Sequence, residues 1–122
     1  MSGLIIAVVD DMFFASKIRA VAEAVGAEIS FPRTHDALIE KARETKPRLI
    51  LVDLHSQRID PRTLASELKS DEGLVEFPLI GFFSHVQTEL QRSALAAGFD
   101  QVLPRSVFVR DLPKILAADD AD

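Results

Sequence analysis

At 122 residues the chain suits a single domain, long enough to bury roughly two-thirds of its unfolded surface. Its 48% apolar and 27% charged residues are those of a soluble globular protein, no apolar run approaches the ~20 residues that span a bilayer, and MSGLIIAVVDD lacks the basic flank and cleavage site of a secretion signal. A net charge of −5 argues against a nucleic-acid partner, the absence of cysteine excludes disulfides and thiol chemistry, and a cytoplasmic location is expected.

Apolar runs alternate with amphipathic stretches five times, a β-α pattern. The first strand covers residues 4–9, and the helix after it carries Phe14, Ile18, Val21, Ala22 and Val25 at helical spacing up to a stop at Gly26. AEISF predicts a short second strand ended by Pro32, and Thr34 caps a helix from His35 to Thr45, which Lys46-Pro47 breaks. RLILVD is the third strand. The loop HSQRID leads to Pro61 in the first turn of a helix through Leu64 and Leu68. After a turn over SDEGLVE, FPLIGFF is the fourth strand, and Leu90, Ala94 and Ala97 form the stripe of a helix ended by Gly98. FDQVL is a weaker fifth strand running into Pro104 and Arg105. Pro113 fits the last helix only in a first turn, and residues 119–122 form an acidic tail on a domain spanning 1–118. The eight phenylalanines read as mostly core, with an exposed one on the last strand or helix marking a partner face.

Continuous Val/Ile/Leu runs suit a parallel sheet buried on both faces, whose ligands bind beyond the carboxyl ends of the strands. Right-handed crossovers in the order 2-1-3-4-5 give a doubly wound sheet whose switch point lies between strands one and three. Asp10 and Asp11 end the first run, Asp53 the third, Ser84 the fourth and Arg105 follows the fifth, so all five converge on one rim. Three carboxylates in one cleft call for a neutralising cation, and Mg²⁺ with oxygen ligands is the natural one. Such a site can place Asp53 as nucleophile on a phosphoryl group.

This arrangement resembles the receiver domain of two-component response regulators, the single-domain chemotaxis type included, over nearly the whole chain. The resemblance implies a flavodoxin-like (βα)5 fold and a phosphoacceptor at Asp53 that is not itself an enzyme. It implies Mg²⁺ held by Asp10, Asp11, Asp53 and the backbone carbonyl of His55, and a Ser84 hydroxyl turned toward the phosphoryl group. The partners it implies are a histidine kinase or phosphotransfer protein and a downstream effector, with homodimerisation through the fifth-strand face as a further option. The departures are specific. Arg105-Ser106 stands where the family usually has Lys-Pro, Val102 replaces the aromatic switch residue, and LHSQRID replaces a Met-Pro and Gly pattern. Arg keeps the charge of Lys but presents a planar fork in place of a compact ammonium. A phosphorylation-independent pseudo-receiver, an interaction module on the same fold, is therefore the competing reading.

Each residue also has a plainer role. Asp10 and Asp11 suit a helix N-terminal cap, Asp53 a strand-end turn, and Ser84 a cap. Arg105 suits either an ion pair with Asp53 or a phosphate contact. His55 and His85 follow adjacent strand ends and could join the acids around a transition metal or act as a pH-sensitive lid, but they lack ligand spacing; His35 carries no functional signal. No glycine-rich phosphate loop supports a small-molecule enzyme.

Overall fold

The computed structural model describes residues 3–84 and 87–117, so His85 and the acidic tail lie outside the described residues. The apolar runs form five parallel strands: β1 (Leu4–Val8), β2 (Glu28–Ser30), β3 (Leu49–Asp53), β4 (Leu79–Phe83) and β5 (Gln101–Pro104). Their order is β2-β1-β3-β4-β5, as expected from the sequence. The helices are α1 (Met12–Ala24), α2 (His35–Thr45), α3 (Pro61–Ser70), α4 (Thr88–Ala97), α5 (Arg105–Arg110) and α6 (Leu112–Ala117).

Because side chains alternate along a strand, the sheet builds two cores. Ile5, Ala7 and Val9 pack with Leu51 and Phe82 against Phe14, Ile18 and Ala22 of α1 and against Phe108, Leu112 and Leu116 of α5 and α6. Ile6, Val8, Ile50 and Val52 pack on the opposite face against Leu38, Leu64, Leu68 and Ala94 of α2, α3 and α4. Asp53 keeps the parity of Leu49 and Leu51, which assigns its side chain to the α1/α5 side.

Local chemistry sets the element ends. Thr34 Oγ1 accepts from Ala37 N–H at the start of α2, and Asp60 Oδ1 accepts from Arg62 and Thr63 N–H ahead of Pro61. Gly26 follows α1 at φ +75° and Gly98 follows α4 at φ +125°, conformations that cost glycine little. The single last helix expected from the sequence is instead two. Pro113 has no N–H to give to a continuous ladder, so α5 ends at Asp111 and Pro113 takes the second position of α6.

The phenylalanines follow expectation with one exception. Phe14, Phe82, Phe83, Phe99 and Phe108 are buried, whereas Phe13 is 88% exposed beside Met12 at the start of α1. Phe13 lies about 100° around the helix from Phe14, off the buried stripe. The exposed aromatic is thus on α1, not on the last strand or helix.

Candidate functional site

Every strand runs in the same direction, so the residues after β1, β3, β4 and β5 share one rim of the sheet. Asp10 and Asp11 follow β1, Asp53 closes β3, Ser84 follows β4 and Arg105 opens α5, which places all five on the expected rim. Their side chains engage it in different ways.

Asp53 is half-buried, and its Oδ1 accepts from His55 N–H at 2.8 Å. Burial pushes its carboxyl above the usual carboxylate range, and the neighbouring charge of Asp10 pushes it the same way. The His55 N–H bond and the Arg105 guanidinium pull it back without cancelling the rise. Asp53 is therefore a partly desolvated carboxylate next to a second one.

Asp10 is held by the loop after β3. Its Oδ1 accepts from Ser56 Oγ and its Oδ2 from Gln57 N–H, both at 2.8 Å. Ser56 is buried and also accepts from Ile59 N–H at 3.3 Å, so one hydroxyl ties Asp10 to its own turn. Neither Ser56 nor Gln57 was singled out in the sequence. A serine three positions ahead of an apolar residue that needs an N–H partner is the sign that was available there.

Asp11 takes the plainer role. Its Oδ1 accepts from Phe13 N–H at 2.9 Å and from Phe14 N–H at 3.3 Å, which makes it the N-cap of α1. Ser84 is exposed, with no hydrogen bond to its hydroxyl among the described residues. His55 is half-buried and contributes its N–H to Asp53.

Arg105 makes no ion pair with Asp53 among the described residues; its guanidinium carbon lies 3.8 Å from the centroid of the Phe14 ring. Phe14 in turn meets Phe82 edge-on at 5.5 Å, and Phe82 stacks on Phe108 at 4.3 Å. Arg105 and Phe14 are 91 positions apart, and no local spacing announces the contact.

The donor set suits a hard divalent ion in kind. Asp10 and Asp53 are oxygen donors close enough for the charge of one to act on the other, and Mg²⁺ commonly uses one or two carboxylates. Among the described residues, however, no three acidic or histidine side chains are grouped closely enough to hold a metal, because Asp11 faces its cap.

Comparison with solved structures places the fold. The chain is similar to the chemotaxis response regulator CheY4 of Vibrio cholerae, at 15% identity over 95% of this chain and 97% of that one, with a TM-score of 0.80. It is also similar to the signal receiver domain of a signal transduction histidine kinase from Syntrophus aciditrophicus, at 22% identity over 96% and 91% of the two chains and a TM-score of 0.78. A third similar structure is the receiver domain of a sensor histidine kinase from Pseudomonas aeruginosa, which has a magnesium ion coordinated in its active site cleft. That pair shares 18% identity over 95% and 98% of the chains with a TM-score of 0.76. No family model and no curated protein matches the sequence. The architecture is that of a response-regulator receiver domain, a flavodoxin-like (βα)5 unit. No described helix is long and apolar enough to cross a membrane.

Proposed function

We propose that this chain is a phosphoacceptor receiver in two-component signalling, and that Asp53 takes a phosphoryl group from a phosphohistidine on a kinase or phosphotransfer protein. The observation that carries this reading is the state of Asp53, a strand-end carboxylate partly removed from water and crowded by Asp10. A Coulombic cost of that kind is relieved by a bound dication, which would also offset the further negative charge that a phosphoryl group brings. In the transfer, a carboxylate oxygen of Asp53 attacks phosphorus, the P–N bond to the donor imidazole breaks with its electron pair, and an acyl phosphate forms.

Asp10, Asp53 and the His55 carbonyl would hold Mg²⁺, with Asp11 joining them only by leaving its cap. When bound, the ion supplies charge neutralisation to the phosphoryl oxygens. The magnesium in the Pseudomonas neighbour supports this assignment. The His55 N–H fixes one oxygen of Asp53, which orients the carboxylate. The Ser84 hydroxyl is exposed at the end of β4 as a donor for a phosphoryl oxygen, and Arg105 is the cation at the end of β5. On this reading the chain carries a phosphoryl group in the cytoplasm and passes the signal by protein contacts; it is not an enzyme acting on another substrate.

A second reading, the pseudo-receiver, draws support from Asp11 in its cap, Arg105 on the Phe14 ring and Val102 at the switch position. Incubation with a small phosphodonor and Mg²⁺, followed by intact mass measurement, separates the two. One phosphoryl adduct is expected on the wild type and none on Asp53→Asn. An unmodified wild type beside a labelled ordinary receiver would refute phosphoacceptance. Partner binding that survives Asp53→Ala and ignores Mg²⁺ would then establish the module.

A further inference from the structure

The chain carries an excess of acid, yet three arginines line one cleft whose lining includes no carboxylate residue. Arg19 comes from α1, Arg33 from the segment after β2, and Arg58 from the loop after β3. Three other arginines sit on acids, Arg43 on Asp71, Arg92 on Glu89 and Arg110 on Asp111, while Arg48 bonds the Leu116 carbonyl and Arg105 lies on Phe14. In the cleft Arg19 lies 4.8 Å from the Phe31 ring centroid, and neither Arg33 nor Arg58 has an ion pair or hydrogen bond among the described residues. Asp11, next to the cleft residue Met12, turns Oδ1 into the α1 cap.

Like charges lining one cleft repel, weakly where they are exposed to water, and an anion bound among them turns that repulsion into attraction. Guanidiniums present paired N–H donors that match tetrahedral oxyanions, and three of them around one cavity suit a group with three terminal oxygens and close to two negative charges. The cavity measures ≈ 190 Å³, and Met12, Phe31 and Pro32 add apolar walls to the cations. That is below the roughly 300–1,000 Å³ of a site enclosing a whole small molecule, so it accommodates a head group and the atoms joined to it.

We infer that this cleft is a binding site for a phosphate monoester, the phosphate held by Arg19, Arg33 and Arg58 and the first part of the ester lying over Met12 and Pro32. It is a second anion site on the same end of the sheet, and it does not depend on phosphotransfer to Asp53. It has a path to that site, since Arg58 follows Gln57, whose N–H holds Asp10.

The test uses the full chain carrying Asp53→Asn in metal-free buffer, which removes phosphotransfer from the readout. Arginine Nε–Hε resonances are followed by NMR while AMP is added, with inorganic phosphate and adenosine as separate titrations. AMP is expected to shift the Arg19, Arg33 and Arg58 signals saturably. Inorganic phosphate should shift the same three more weakly, and adenosine should leave them unmoved. Arg33→Ala and Arg58→Ala, both at exposed positions, should each weaken AMP binding about tenfold with the backbone spectrum otherwise retained. No saturable shift of these arginines at millimolar AMP would overturn the assignment. So would adenosine binding as well as AMP, or AMP affinity within twofold of the parent in both variants.

Discussion

Replacing Ser56 with alanine tests how the acidic rim is built. The hydroxyl donates to Asp10 Oδ1 at 2.8 Å and accepts from Ile59 N–H at 3.3 Å, and it is 8% exposed. Loss of a hydrogen bond to a carboxylate costs about 1.5–3 kcal/mol, and a buried N–H left without a partner costs about 1 kcal/mol at the low end that its long bond implies. The sum is about 3 kcal/mol, a large part of the ~5–15 kcal/mol that holds a domain of this size. With a urea dependence of ~1.5 kcal/mol per molar, the unfolding midpoint should fall by about 2 M. Ser56→Thr, which keeps the hydroxyl, should recover part of the loss. In a cycle with Asp10→Ala the two changes should couple by ~1.5 kcal/mol or more. A midpoint within ~0.3 M of the wild type, or strictly additive variants, would show that Ser56 does not anchor Asp10.

Two further outcomes follow from the geometry. Burial holds the Asp53 carboxyl above its ordinary range, so the native state keeps a proton that the unfolded chain releases, and stability falls as pH rises from the ordinary carboxylate value through the raised one. Asp53→Asn should therefore stabilise the metal-free protein at neutral pH, by on the order of 1 kcal/mol because the group is only half removed from water, and the gain should vanish below about pH 4. Destabilisation at neutral pH in urea unfolding, or an equal gain at both pH values, would contradict this. Gly81→Ala would place a Cβ 2.8 Å from Leu54 Cδ2 and 3.0 Å from Phe99 Cδ2 inside a packed core; the expected loss is about 1–3 kcal/mol, and an unchanged denaturation midpoint would refute it.

Much of the fold was legible because each strand is a continuous apolar run and each helix carries its own stripe and stop, as Phe14, Ile18, Ala22 and Gly26 illustrate for α1. The break at Asp111 was less so. Pro113 warned of it, but only the position of the second helix shows that the chain restarts in place of ending. At the site, topology and strand ends are enough to put Asp10, Asp11, Asp53, Ser84 and Arg105 on one rim. What each side chain does there is not written in spacing. An acid between a strand and a helix satisfies a cap and a cation equally well, so Asp11 could not be assigned from sequence. The hold on Asp10 runs through Ser56 and Gln57, more than forty positions away in the chain, and the Arg105 perch depends on a ring at Phe14.

That perch changes where the rim is mechanically connected. The resemblance implies a ring on β5, but Val102 packs toward the core shared with α2, α3 and α4 and has no ring to turn. The aromatic mass lies on the other face. Phe82 is registered directly against Asp53 in the neighbouring strand, stacks on Phe108 of α5, and meets Phe14 of α1 edge-on. Arg105 closes the chain of contacts by resting on Phe14. A cation over a ring is held by about 0.5–2 kcal/mol, and the charge of Arg105 also acts on the carboxyl of Asp53. Arg105 is therefore shared between the Phe14 ring and the field of Asp53. The elements these contacts join are α1, whose cap is Asp11, and α5, which Arg105 begins. In this chain the rings beside the rim join α1, β4 and α5, and Leu103 of β5, registered against Phe82, packs on the same core.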